Sequence, residues 1–168
     1  AELMNGGFKV ASKEGTGSTF TFNVMLEHPS EVYPMQEQMD LSSLSTVLVA
    51  CENHNLQKTS KELLQHWGVQ EVLVDASFDK ARARLRSAGM ISFAVLSVRV
   101  EEHIQIALEL HMEFKEQVKN WIVLSPISFT GRLNKLCTSW LVLSKPVRQS
   151  VFFNALKRMS SGNPFWRV

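Results

Sequence analysis

Five side chains able to do chemistry follow closely on short apolar runs. Thr46-Val47-Leu48-Val49-Ala50 leads into Cys51 and Glu52, and Phe93-Ala94-Val95-Leu96 leads into Ser97. Trp121-Ile122-Val123-Leu124 leads into Ser125, and Trp140-Leu141-Val142-Leu143-Ser144 leads into Lys145. If these runs are strands of one parallel sheet, the five side chains share its carboxyl-terminal edge, where open α/β sheets bind ligands. Their types permit little catalysis. A serine hydroxyl is a poor nucleophile without a base beside it. Glu52 is the single carboxylate of the set, and Lys145 is placed to neutralise it, because a nearby cation favours the charged carboxylate. Ser125 suits a loop hydrogen bond, Ser97 a hydrogen-bonded filler, and Cys51 a small packed residue. Cys51 and Cys137 form no CxxC or Cys/His spacing, so no metal site is expected from them. His28, His54, His66, His103 and His111 are scattered. His103 and His111 share one expected helix but lie too far apart for a ligand pair on adjacent turns.

The elements that would position these groups can be read from the same stretch. Residues 46–50 form a short β-branched run, and Asn53 can cap a helix that reaches Trp67 and stops at Gly68. The pattern then predicts a strand over Val69–Val74 and a helix over Phe78–Ala88, with Asp75 and Asp79 as capping residues. A buried strand is expected over Phe93–Leu96. A long helix follows over Glu101–Lys119, with Ile104, Leu108, Met112 and Val118 on its apolar face. Strands at Trp121–Leu124 and Trp140–Leu143 flank a short helix over Phe129–Leu136, and Val147–Met159 closes the series. Trp67, Trp121 and Trp140 sit at element ends as core anchors. Strict alternation of strand and helix implies an α/β domain, a five-stranded parallel, doubly wound sheet of the flavodoxin-like kind.

The chain divides into four zones. Residues 1–26 read as a helix end over Ala1–Asn5 and two strands, Phe8–Ser12 and Ser18–Leu26, joined by Lys13-Glu14-Gly15-Thr16-Gly17. A hairpin of this size cannot stand alone, so a covering segment upstream is expected and the chain reads as a fragment. Residues 27–45, with Pro29 and Pro34, read as a linker, 46–159 as the α/β domain, and 160–168 as a tail in which Phe165 and Trp166 pack back. The 168 residues are 45% hydrophobic with a formal net charge of +2. Nothing in that balance suggests a nucleic-acid binder, and no apolar run has the roughly 20 residues that a membrane helix needs. Two distant cysteines and the lack of a visible signal peptide suggest a cytoplasmic setting.

Two stretches carry a family resemblance. Glu2-Leu3-Met4-Asn5-Gly6-Gly7 with Gly15-Thr16-Gly17-Ser18-Thr19-Phe20-Thr21-Phe22 resembles the closing segment of histidine-kinase ATP-binding domains. There the threonine of this turn lies near the adenine, which makes Gly15, Gly17 and Thr19 a remnant site, insufficient alone to hold ATP. The α/β zone resembles a response-regulator receiver domain, as found in hybrid sensor histidine kinases. Receivers carry an acidic pair after the first strand, an aspartate after the third, a Ser or Thr after the fourth and a Lys-Pro after the fifth. Glu52, Ser125, Lys145 and Pro146 fit that pattern. Cys51 and Ser97 depart from it, because Ser97 offers no carboxylate for an acyl phosphate and Cys51 is a soft ligand unsuited to Mg²⁺. The resemblance therefore implies a pseudo-receiver without phosphoacceptor or resident metal. ATP and Mg²⁺ would be used only by a parent kinase, a homodimer that could be membrane-anchored upstream. Its partners would be proteins: the kinase body, another receiver or a phosphotransfer protein. Two alternatives stand beside this reading: an active receiver using an unrecognised carboxylate such as Asp75 or Glu101, or an architectural spacer. The resemblance also implies a cis bond at Lys145-Pro146 and places Trp140 near the aromatic residue that switches in receivers.

Overall fold

The computed structural model describes residue 3, residues 5–26 and residues 39–162, which fall in two compact units, residues 1–38 and residues 39–168. Most of the expected helix end at 1–5, most of the linker and the end of the tail with Phe165 and Trp166 lie outside the described residues.

The first unit is an antiparallel hairpin of β1 (Gly7–Lys13) and β2 (Gly17–Asn23). The turn needs its glycines, since Gly15 and Gly17 take φ of +73° and +118°, a region costly for residues with a Cβ. Phe8 pairs with Phe22 and Val10 with Phe20, so all four apolar side chains share one face, and each is more than half exposed.

The second unit alternates β3 (Thr46–Ala50), α1 (His54–His66), β4 (Glu71–Asp75), α2 (Phe78–Ser87), β5 (Ile91–Ser97), α3 (Glu102–Phe114), β6 (Val118–Ser125), α4 (Ile127–Leu136), β7 (Trp140–Ser144) and α5 (Gln149–Ser160). The sheet is parallel with strand order β4-β3-β5-β6-β7. Its central strands are covered on both faces, and all seven residues of β5 are buried. One layer of the core joins Leu48, Ala94, Leu96 and Val123 to α2 and α3, and the other joins Val47, Val49, Phe93 and Ile122 to α1 and α5. The five-stranded doubly wound sheet expected from the alternation is the one observed.

Local chemistry explains the boundaries. Asn53 caps α1 through Oδ1, which accepts from the Leu56 N–H at 2.9 Å. Gly68, at φ +87°, ends it. The Gly68 N–H donates to Gln65 O and the Val69 N–H to Leu64 O, a Schellman closure. This closure occupies Val69, so β4 begins at Glu71 instead of Val69. Ser77 is the N-cap of α2, donating no charge but accepting from the Lys80 N–H; Asp79 lies in the first turn and Asp75 is not a cap. The third helix stops at Phe114, short of the expected Lys119, and Val118 opens β6. Its buried face is Ile104, Ala107, Leu110 and Phe114, while Met112 is 65% exposed. Residues 39–45, expected in the linker, belong to the second unit. Leu41 and Leu44 are buried, and Leu41 N–H donates to Trp67 O while Leu44 O accepts from the Gln70 N–H.

Candidate functional site at the carboxyl edge of the sheet

Parallel register brings the strand ends together. Ala50 lies beside both Leu96 and Asp75, Ser97 beside Leu124, and Ser125 beside Ser144. Two backbone bonds lace the loops that follow: the Val98 N–H donates to Leu124 O at 2.9 Å and the Lys145 N–H to Ser125 O at 2.8 Å. The Lys145-Pro146 peptide bond is cis, as the resemblance implied.

Lys145 does not neutralise Glu52. Its Nζ donates to Ser97 Oγ at 2.8 Å and to Val98 O at 2.7 Å, reaching across the sheet edge. Burial pushes the ammonium below the ordinary lysine value, an effect that only the thiolate form of Cys51 would oppose, and the cationic Arg99 adds to it. Glu52 instead pairs with Arg99 Nη1 at 3.0 Å and with His103 Nε2 at 3.4 Å. Neither partner stood out in the sequence. Arg99 lies two residues past a strand end and His103 in the first turn of α3, and no local pattern ties such positions to Glu52.

The remaining groups are occupied within the chain. Ser97 is only 3% exposed and holds the Lys145 ammonium. Ser125 is fully buried; its hydroxyl bonds Pro126 O at 3.1 Å and Thr130 Oγ1 at 3.3 Å, and Thr130 continues to Ser144 Oγ at 2.9 Å. Cys51 is packed, with Sγ donating to Asn53 O at 3.6 Å, and burial pushes its thiol up, which keeps it protonated. Both carboxylates considered as alternative acceptors are also engaged. Asp75, 4% exposed, accepts two N–H bonds from Arg84 at 2.7 and 2.8 Å, and Glu101 pairs with Arg132.

Mg²⁺ requires several hard oxygen ligands in near-octahedral array. The residues of this edge do not fit it. One exposed carboxylate faces an arginine and a histidine, the neighbouring thiol is protonated, and an ammonium spans the strand ends. Among the described residues no group of three or more His, Cys, Asp or Glu side chains could hold a metal ion.

Trp140 does not stand at this edge. It opens β7 in register with Trp121, which pairs with Ala94 in the middle of β5, so both tryptophans lie at mid-sheet below the Ser125–Ser144 pair, and His111 packs edge-on against them with centroids 5.1 and 5.6 Å away. Trp67, Trp121 and Trp140 are all buried, as anchors should be. In the hairpin, Thr19 pairs with Ala11 on the exposed β2, and Gly15 and Gly17 serve the turn. No helix among the described residues is long and apolar enough to cross a membrane.

No protein-family model matches the sequence, and no curated protein matches it. Solved structures do. The chain is similar to the Vibrio cholerae chemotaxis protein CheY4 at 17% identity and TM-score 0.58, covering 68% of this chain and 98% of that one. A response regulator receiver domain protein from Clostridium thermocellum matches at 17% identity and TM-score 0.61, over 71% of this chain and 96% of that one. A de novo designed protein with a Rossmann 2x3 fold matches at 9% identity and TM-score 0.56, over 74% and 96%. The likeness extends from natural receivers to a designed chain, so it speaks to architecture and not to activity. The second unit thus has the flavodoxin-like fold of CheY-like receiver domains.

Proposed function

We propose that residues 39–162 act as a pseudo-receiver in two-component, phosphorelay-type signalling. In this reading the domain keeps the receiver architecture, takes up no phosphoryl group and works by contact with protein partners: a kinase body, another receiver or a phosphotransfer protein. The observation that carries the reading is the position of Lys145, whose Nζ is bonded to the Ser97 hydroxyl and the Val98 carbonyl. Phosphoryl transfer depends on positioning and on charge compensation by metal ions. Here the last position of β5 holds a hydroxyl, and the nearby carboxylate is turned toward Arg99 and His103. A phosphate placed on Ser97 would be a stable ester, unlike the labile acyl phosphate of an aspartate. The hairpin of residues 7–23 is read as the closing part of a histidine-kinase ATP-binding domain; its glycine turn and paired strands support that reading.

The test is incubation of the chain with Mg²⁺ and acetyl phosphate, followed by intact mass measurement under neutral and alkaline conditions. The expected result is an unmodified mass. A labile phosphate adduct, or saturable beryllofluoride binding seen as shifts at residues 52, 97 and 145, would overturn the assignment.

A further inference from the structure

The helices on the α2–α3–α4 side of the sheet are not evenly joined. Arg82 pairs with Glu109 and Glu113, and Arg86 with Glu113, so three ion pairs tie the outer faces of α2 and α3. Between α3 and α4 a cleft of about 320 Å³ opens instead. Ile104 and Leu108 of α3 and Leu136 of α4 supply its apolar lining, and Glu101, Glu102 and Arg132 stand at one end. Leu136 is 45% exposed. The stripe of α3 that contains Leu108 continues by helical spacing from Gln105 to Met112, which is 65% exposed. From Glu101 to Met112 the stripe runs about 16 Å, or three helical turns.

The cleft is closed by a weak tie. Glu101 and Arg132 bridge it as an ion pair whose two side chains are both more than half exposed. Such pairs contribute little, so an incoming group displaces this one at small cost. The end of the cleft carries two carboxylates against one guanidinium, and Glu102 has no ion pair among the described residues. A cleft that offers Leu108 and Leu136 over a buried Ile104, with an acidic end, selects for its complement. Helix-in-groove recognition uses apolar anchors at i, i+3 or i+4, and i+7. A basic side chain at the end that meets Glu101 and Glu102 would set the direction of docking.

Resting on the pseudo-receiver reading, we infer that the α3–α4 cleft is the docking site for an amphipathic helix of a partner protein, one with an apolar ridge of Leu-like side chains and a basic end seated against Glu101 and Glu102. This places partner contact on a face that needs no event at the carboxyl edge of the sheet.

The probe is a synthetic amphipathic helical peptide of about 14 residues, with a leucine ridge and two arginines at one end, titrated into the ¹⁵N-labelled full chain. Saturable amide shifts are expected at residues 105, 108, 112 and 136. A peptide with two glutamates in place of the arginines should bind about tenfold more weakly, and Glu102→Lys should reverse that ranking. No saturable shift, shifts on another face, or an unchanged ranking in Glu102→Lys would overturn the inference. Concentration-dependent dimerisation that Leu136→Glu abolishes would assign the cleft to a second copy and would overturn it too. Repeating the titration with Mg²⁺ and beryllofluoride separates the two claims. Shifts at residues 52, 97 and 145 would sink the pseudo-receiver reading, and the peptide shifts would report on the cleft independently.

Discussion

Replacing Ser97 with aspartate asks the carboxyl edge a direct question. The Lys145 Nζ lies 2.8 Å from Ser97 Oγ, so a carboxylate built there falls within about 4 Å of the ammonium. At that distance, with the effective dielectric suited to proteins, the attraction is about 4 kcal/mol. Opposing it is the several kcal/mol of desolvation borne by a carboxylate at a position only 3% exposed. The two nearly cancel, so stability near neutral pH should change by less than about 2 kcal/mol. The pH dependence is where the variant should differ. In the parent chain burial lowers the Lys145 pKa. The unfolded chain then binds more protons in the window between the folded and unfolded values, and stability rises with pH there. In Ser97→Asp the new anion pulls the lysine upward. A raised lysine contributes stability below its unfolded value and loses it as pH rises through the folded one, so this contribution changes sign. Between about pH 8 and 10.5 the urea midpoint should rise with pH through the lysine in the parent and stay level in the variant, whose loss lies above that window, with Lys145→Met in both backgrounds isolating the lysine. Parallel alkaline arms in parent and variant would refute the geometry argued for Lys145. The same variant should still gain no labile phosphate from acetyl phosphate and Mg²⁺, because Glu52 remains turned to Arg99 and His103. Uptake by the single variant would show that the metal site was never lost.

Other positions make simpler statements. Arg84→Ala leaves the Asp75 carboxylate, 4% exposed, without its two donors; a loss of about 3 kcal/mol is expected, at the low end for such pairs because the arginine is itself partly exposed, and denaturant unfolding measures it. Gly68→Ala forces a Cβ into φ +87° at the end of α1, and should cost about 1–2 kcal/mol in the same measurement without altering the fold, because the added atom would meet its neighbours only at ordinary contact distance. Burial, with Lys115 assisting, lowers the His111 pKa, so the stability that the neutral ring carries above its unfolded value is lost as pH falls through the folded one. Unfolding midpoints compared at pH 7 and pH 5 should therefore drop less in His111→Leu than in the parent; an equal drop would remove His111 from the acid response.

Most of the scaffold was legible because parallel strands buried on both faces read as apolar runs, and β5 is the plainest case, with every residue covered. Asn53 and Gly68 marked α1 because a side-chain cap and a positive φ are local demands that few residues meet. The end of α3 was not legible. Lys115, Glu116 and Gln117 include no breaker, and the turn is fixed from outside the segment: Gln117 Nε2 reaches the carbonyls of Leu85, Ala88 and Gly89, and Ile91 N–H donates to Gln117 O. Leu41 and Leu44 were hidden for a similar reason. Two leucines among polar residues read as a tether until the backbone of residues 67–71 turns them inward. At the site, strand ends were legible and pairings were not. Which side chain meets Glu52 depends on loops 47 residues apart in sequence.

Those pairings matter because they decide what an incoming anion would have to break. A phosphate-like group at this edge would compete with the two hydrogen bonds that the charged Lys145 ammonium donates, each worth about 1.5–3 kcal/mol. It would also meet the Glu52 carboxylate unless the Arg99 contact were rearranged. Its hydroxyl partner is unavailable without a cost, since Ser125 is fully buried and already bonded to Pro126 O and Thr130. An edge whose ammonium and strand-end hydroxyls are already bonded gains little by exchanging those bonds for a ligand. The α3–α4 cleft is the opposite case, with Leu136 45% exposed beside a partly buried Leu108 and a bridge that costs little to open. Free energy for association is therefore available on the helical flank and largely absent at the sheet edge, and partner recognition should follow that gradient.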